Sequence, residues 1–331
     1  MTRAKIVDPA VWTSAAIGGK PGLTRTLSAE ELAAVDRFLA KVAGRAPESI
    51  TADEVDDPLL VALGAEVRHQ IMNGLGAIVV SGVDIARVGI DGFKAIYWAI
   101  GTQIGTGAEQ SYRRDKIGLV QKEENNPTGR GYLMDVELRS HTDFHEVLSL
   151  AGVRHAASGG MSGLVSSLAL HNILLEERPD LLEPLYEGYY HESAGGVVSE
   201  DKVPVFGTVD GKTSCYYHPL FMRRAAKLLG QELPPELEEA TAFMRDVAER
   251  PEVRADFMLD PGEMMFWHNF TQLHSRTAFD DTPEAKRLLL RLWINVDDGR
   301  PMPAVFNERA HWMDKAHSGG EAAIDYVVEP A

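Results

Sequence analysis

The sequence predicts a mainly antiparallel β protein wrapped by helices, and three observations carry that prediction. Short strand-like runs dominate residues 118–170 and return after 255 as "ADFMLD", "EMMFWHN", "LHSRTAF" and "LLLRLWINV". Helical periodicity is concentrated before residue 75 and between about 172 and 250. No alternation of strand, helix and parallel strand recurs, and no Gly-rich phosphate fingerprint is present, so a doubly wound nucleotide-binding sheet is disfavoured.

In chain order, "TLSAEELAAVDRFLAKVAG" sets Ser28 three residues before Glu31, the spacing of a capping box, and predicts a helix up to Gly44. Asp57-Pro58 opens a second helix, because Asp can cap and Pro fits the first turn. "AIVVSGV" then reads as a buried strand, followed by "IGLVQKE", the polar loop "ENNPTGRG", "VLSLAGVRHA" and "LVSSLAL" after the turn "SGGMSG". "PDLLEPLYEG" and "PPELEEATAFMRDVAER" carry helical periodicity, and Asp210-Gly211 supplies a type I′ turn for a hairpin in "VPVFGTVDGKTSCYY". Strands before residue 170 and after 255 both need partners. One domain over 1–331, with N-terminal helices at 28–75 and a helical insertion at about 172–250, is therefore the economical organisation.

The chain has 331 residues, 44% of them hydrophobic and 25% charged, within the range of folded soluble proteins. Acidic residues outnumber basic ones 49 to 33, and the formal charge of -16 disfavours nucleic acid and anionic membranes as partners. A single cysteine, Cys215, excludes an intrachain disulfide, and with no secretory leader pattern the expected location is the cytoplasm. A homo-oligomer is compatible with the composition.

"SHTDFHE", residues 140–146, spaces His141, Asp143 and His145 one residue apart. If the run is extended, all three share a face. A His-x-Asp/Glu match arises by chance in a chain with 11 histidines, so the triplet is weak alone. "FWHNFTQLHSRTAF" adds His268 and His274, and "KRLLLRLWI" places Arg287 and Arg291 four apart in an apolar strand. Buried guanidinium groups need partners, and a carboxylate suits their geometry best. Two histidines and one carboxylate leave three positions open on an octahedral ion, the arrangement of non-haem Fe(II) that binds a cosubstrate and oxygen.

The ordered set "GAIVVSGV", "GYLMDVELRSHTDFHE", "ASGGMSGLVSS", "HNILLEERPDLLEPLY", "PVFGTVDG" and "LHSRTAFDD" leading to "RLLLRLW" resembles the taurine dioxygenase and clavaminate synthase-like Fe(II)/2-oxoglutarate-dependent oxygenases, over about residues 75–300. The resemblance implies a double-stranded β-helix (jelly roll) core with flanking helices and a helical insertion. It implies Fe(II) held by His141, Asp143 and His274, with His145 and His268 as supporting or packing residues. Arg287 would anchor the far carboxylate of 2-oxoglutarate, and Arg291 would serve the same ligand or the substrate. Ser162 in "GGMSG" would contact the cosubstrate. Turnover with O2 would release succinate and CO2 and hydroxylate a C–H bond of a small polar, amino-acid-like molecule. Halogenating relatives carry a small residue where this chain has Asp143, so hydroxylation is the expected outcome. Gln110, Arg130, Tyr132 and Arg291 are the candidate substrate contacts. Gly262-Glu263 departs from the Gly-Asp that relatives often carry before this strand. Two rivals are a zinc hydrolase using the same ligands and a non-catalytic binding protein on the same barrel. A hydrolase has no use for an arginine that grips a keto diacid.

Overall fold

The structure, a computed structural model, describes residues 3–110, 114–124, 131–193 and 197–308. Helix α1 (Ala29–Lys41) begins at the predicted capping box: Ser28 Oγ accepts from the Glu31 N–H, and the Glu31 carboxylate accepts from the Ser28 N–H. Helix α2 (Pro58–Asn73) starts on the Asp57 cap with proline in its first turn. Helix α3 (Ile85–Thr102) lies outside the sequence expectation. Gly89, at φ 71°, breaks its helical geometry near the start and masks the period there.

The principal strands are β1 (Thr24–Thr26), β2 (Ala77–Ser81), β3 (Thr106–Gly107), β4 (Gly118–Val120), β5 (Leu138–His141), β6 (Val147–Arg154) and β7 (Ser162–Ser166). The hairpin β8 (Phe206–Val209) and β9 (Lys212–Cys215) follows, then β10 (Ala255–Phe257), β11 (Met264–His268), β12 (Gln272–Arg276) and β13 (Leu288–Asn295). The hairpin turns through Asp210 at φ 49° and Gly211 at φ 74°, both left-handed as a type I′ turn requires. "LVSSLAL", expected as one strand, instead changes to helix midway. Ser166 Oγ accepts from the Ala169 N–H and starts α4 (Ser167–Glu177). Helices α5 (Leu182–Glu187), α6 (Pro219–Leu228) and α7 (Pro235–Ala248) complete the insertion.

Among the described residues, the larger sheet has seven strands, in the order β1-β2-β11-β6-β13-β3 with β4 also on β13. The smaller has four, β10-β7-β12-β5. Apart from β1 beside β2, these pairings are antiparallel. The two sheets face one another through a core in which Leu148, Trp267 and Trp293 meet Leu164, Ala255 and Phe257. Alternation along the strands sends the opposite set outward: Ile78, Val80, Phe266 and Leu290 pack against α1 to α3. On the far side, Val165 and Leu273 of the small sheet pack against the insertion helices. A β-sheet sandwich with helices on both outer faces is the observed architecture. Among the described residues no helix is long and apolar enough to cross a membrane.

Candidate active site

The antiparallel pairing of β5 with β12 puts His141 directly opposite His274, with ring centroids 4.2 Å apart. Asp143 lies two residues beyond the end of β5, and its backbone is pinned by Asn269. The Asp143 N–H donates to Asn269 Oδ1 at 3.0 Å, and Asn269 Nδ2 donates to the Asp143 carbonyl at 3.0 Å. Asp143 Oδ1 is 3.8 Å from His141 Nε2, and Oδ2 is 4.0 Å from His274 Nε2. One ligand atom from each residue lies within 4.8 Å of the others, close enough to share a single ion.

The two imidazoles are held with a ring nitrogen toward the cluster. His141 Nδ1 lies 2.7 Å from the Arg139 carbonyl, which can only accept, so Nδ1 carries the proton and Nε2 presents its lone pair to the cavity. Burial, together with the neighbouring His141, pushes the pKa of His274 down to about 3, which keeps that ring neutral. The donor set of two imidazoles and one carboxylate fits a ferrous ion.

His145 does not join them. The expected extended run stops where β5 ends at His141, so the alternation that would have aligned His145 is lost. His145 is fully buried, stacked on Trp293 at 4.8 Å. His268 is also buried: its Nε2 donates to Glu146 Oε1 at 3.0 Å, and its Nδ1 accepts from the Phe270 N–H. The lone pair of His268 is thereby spent on the main chain.

A cavity of about 570 Å³ opens beside the cluster, within the usual range for small-molecule sites. Arg276, Arg287 and Arg291 line it, yet are only 6%, 3% and 8% exposed. Arg287 Nη1 is buried with no hydrogen-bond partner among the described residues, and burial pushes its pKa down to about 10. An unmet buried guanidinium facing a cavity fits an anionic cosubstrate. The glycines of "SGGMSG" make room for it. A Cβ at Gly160, which sits at φ 75°, would lie 2.9 Å from Arg287 Nε and 3.1 Å from its Cδ. Ser162 lines the same cavity from β7.

Arg291 is held from several sides. Its Nε donates to Gln110 Oε1 at 2.7 Å, and its guanidinium lies 4.2 Å from the Tyr132 ring and 4.5 Å from the Trp293 ring. Gln110 is fully buried and also donates to the Arg291 carbonyl at 2.6 Å, so it positions the arginine from behind the cavity wall. Tyr132 lines the cavity; Arg130 lies outside the described residues. Sequence reasoning missed Arg276, Asn269, Gly160 and His218. His218, whose ring is 5.6 Å from that of His141, also lines the cavity. Arg276 follows His274 by two, a same-face signal that was available; the others depend on tertiary contacts that no local pattern reveals.

The sequence matches the family model described as "Taurine catabolism dioxygenase TauD, TfdA family" over residues 42–293. It is 28% identical over 332 residues to "FR-33289 synthase" of Streptomyces rubellomurinus (strain ATCC 31215), covering 95% of this chain and 94% of that protein. A "Taurine hydroxylase-like protein SAT17" of Stachybotrys chartarum (strain CBS 109288 / IBT 7711) is 33% identical over 194 residues, 54% of this chain and 48% of that one. Among solved structures, an asparagine oxygenase in complex with Fe(II), hydroxyasparagine and succinate superposes with a TM-score of 0.66 at 15% identity, covering 82% of this chain and 93% of that one. The non-heme iron oxygenase OrfP with Fe and alpha-ketoglutaric acid gives a TM-score of 0.58 at 15% identity, covering 83% and 94%. These two share the fold. The family match spans both halves of the ligand cluster and the arginine-bearing strand, and the chain belongs to the TauD, TfdA family of iron- and 2-oxoglutarate-dependent oxygenases.

Proposed function

We propose that this protein hydroxylates an unactivated C–H bond of a small, polar, amino-acid-like metabolite bearing an anionic group, using Fe(II), 2-oxoglutarate and O2. The observation that carries this is the meeting of His141, Asp143 and His274 beside a wall of buried arginines. The three residues would hold the iron. Bound there with the keto acid, the metal supplies oxygen activation with release of succinate and CO2, and the abstraction of hydrogen from the substrate.

The chain's own residues supply binding and orientation. Arg287 and the Ser162 hydroxyl receive the far carboxylate of 2-oxoglutarate. Arg291, immobilised by Gln110 and two aromatic rings, reads an anionic group on the substrate. Phe144, Leu148, Trp267 and Trp293 line the cavity with apolar surface, which excludes water from the reacting centre. The lining supports an anionic substrate. Seven arginines and two carboxylates, Glu137 and Asp143, line it; Arg223, Arg224 and Arg245 are already paired with Glu238, Glu192 and Asp246, so this support rests on the buried Arg276, Arg287 and Arg291. The hydroxyasparagine and hydroxyarginine named in complexes of the two fold neighbours support an amino-acid-like substrate.

The facing antiparallel sheets, with partners far apart in sequence, support a double-stranded β-helix core in one oxygenase domain over 1–331. An anaerobic titration with Fe(II) and 2-oxoglutarate, followed by a succinate-release screen over amino acids and their acidic derivatives, tests the proposal. A visible charge-transfer band and a substrate that stimulates succinate release are expected; the absence of both would overturn it.

A further inference from the structure

Arg276 has no part in the assignment above, yet it is the most exacting residue of the cavity wall. It follows His274 by two on β12 and pairs across the sheet with Ser162 of β7. Its Nη2 donates to the Met134 carbonyl at 2.8 Å and to the Val136 carbonyl. Its Nε and Nη1 are buried and meet no hydrogen-bond partner among the described residues. Its guanidinium carbon lies 4.9 Å from the centre of the Phe279 ring, and that of Arg287 lies 5.2 Å from the same centre. Two cations are therefore desolvated against one ring, and each has a buried N–H to satisfy. Such a pair is costly until an anion meets both.

We propose, on the oxygenase assignment above, that Arg276 and Arg287 together bind the far carboxylate of 2-oxoglutarate, and that Arg276 passes this binding to the main chain at Met134 and Val136. A carboxylate has about four acceptor positions, enough for two guanidinium groups and the Ser162 hydroxyl. The same segment carries Tyr132, which covers Arg291. It is held by the Phe279 N–H donating to the Asp135 carbonyl and by the Lys122–Asp135 ion pair. Arg276 thus joins the cosubstrate pocket to the wall that reads the substrate, and filling the first firms the second.

The test compares 2-oxoglutarate with 2-oxobutyrate, which lacks the far carboxylate, on the Fe(II)-loaded protein under argon. Affinities are read from quenching of tryptophan fluorescence, since Trp267 and Trp293 line the cavity. The wild type should prefer 2-oxoglutarate by about a hundredfold or more. Arg276→Gln should cut that ratio at least tenfold, and Arg276→Lys should restore part of it. The ratio is taken within each variant, so a reduced folded fraction cancels. An unchanged ratio in Arg276→Gln, with the wild type still selective, overturns the proposal and leaves the oxygenase assignment standing. A wild type that binds neither keto acid overturns both. Hydrogen exchange on the wild type needs no variant. Amides of residues 131–138 should be slowed by 2-oxoglutarate and not by 2-oxobutyrate; equal effects of the two acids overturn the coupling to that segment.

Discussion

His141 and His268 are each fixed by the main chain, with opposite chemical outcomes. His141 turns Nδ1 toward the Arg139 carbonyl, keeps its proton there, and leaves Nε2 bare beside Asp143 and His274. His268 turns Nδ1 toward the Phe270 N–H, so its lone pair is consumed and its proton goes to Glu146. Glu146 in turn accepts from the Arg300 N–H, which closes the network. Both groups contain imidazole and carboxylate. What separates a ligand set from a structural one is which ring nitrogen the backbone occupies, and whether the other faces a cavity.

Deleting each side has the largest expected effect. His141→Ala, Asp143→Ala and His274→Ala should each lower 2-oxoglutarate turnover by more than about 100-fold, the upper end of what losing even a ligand's supporting partner costs. His268→Ala should keep turnover within about tenfold of wild type. Succinate release checks both, and comparable losses in all four variants would erase the distinction.

The second expectation concerns the cosubstrate wall. Arg287→Ala removes the charge-assisted partner of a desolvated carboxylate, a loss of about 2 to 5 kcal/mol. The 2-oxoglutarate concentration giving half-maximal turnover should rise accordingly, while iron binding, followed by anaerobic titration, should hold. An unchanged requirement would transfer the role to Arg291.

Much of the site was legible in the sequence because its chemistry is written locally. The His-x-Asp pair, a distal histidine and an arginine strand in fixed order were enough to place His141, Asp143, His274 and Arg287 together. What local pattern left open or misread was geometry that changes within a few residues. His145 fell off the shared face because the strand stops at His141. "LVSSLAL" reads as a strand after the turn, yet Ser166 caps a helix inside it. Asn269 was invisible because its two hydrogen bonds to Asp143 span the whole insertion, and Gly160 because its reason is a neighbour's guanidinium. The fold class was readable from strand clusters at either end of a helical segment, whereas α3 was not.

A third expectation sharpens the role of that glycine. Gly160→Ala would force a Cβ against Arg287 in a left-handed backbone conformation, so affinity for 2-oxoglutarate should fall about tenfold, less than for Arg287→Ala. Calorimetric titration of the two variants side by side decides the order. The smallest catalytic effect belongs to the structural network. Glu146→Gln weakens the charge-assisted hydrogen bonds from His268 and Arg300, costing about 1 to 3 kcal/mol of stability with near-normal kinetics. Thermal melting should register it, and a kinetic defect without a lower Tm would mean Glu146 belongs to the active site.

An anaerobic crystal structure with Fe(II) and 2-oxoglutarate would locate both ligands in one measurement. It should show a single iron about 2 Å from His141 Nε2, Asp143 and His274 Nε2, with the far carboxylate of the keto acid on Arg287. Iron at the His268 and Glu146 pair, or a keto acid whose far end lies away from Arg287, would contradict it.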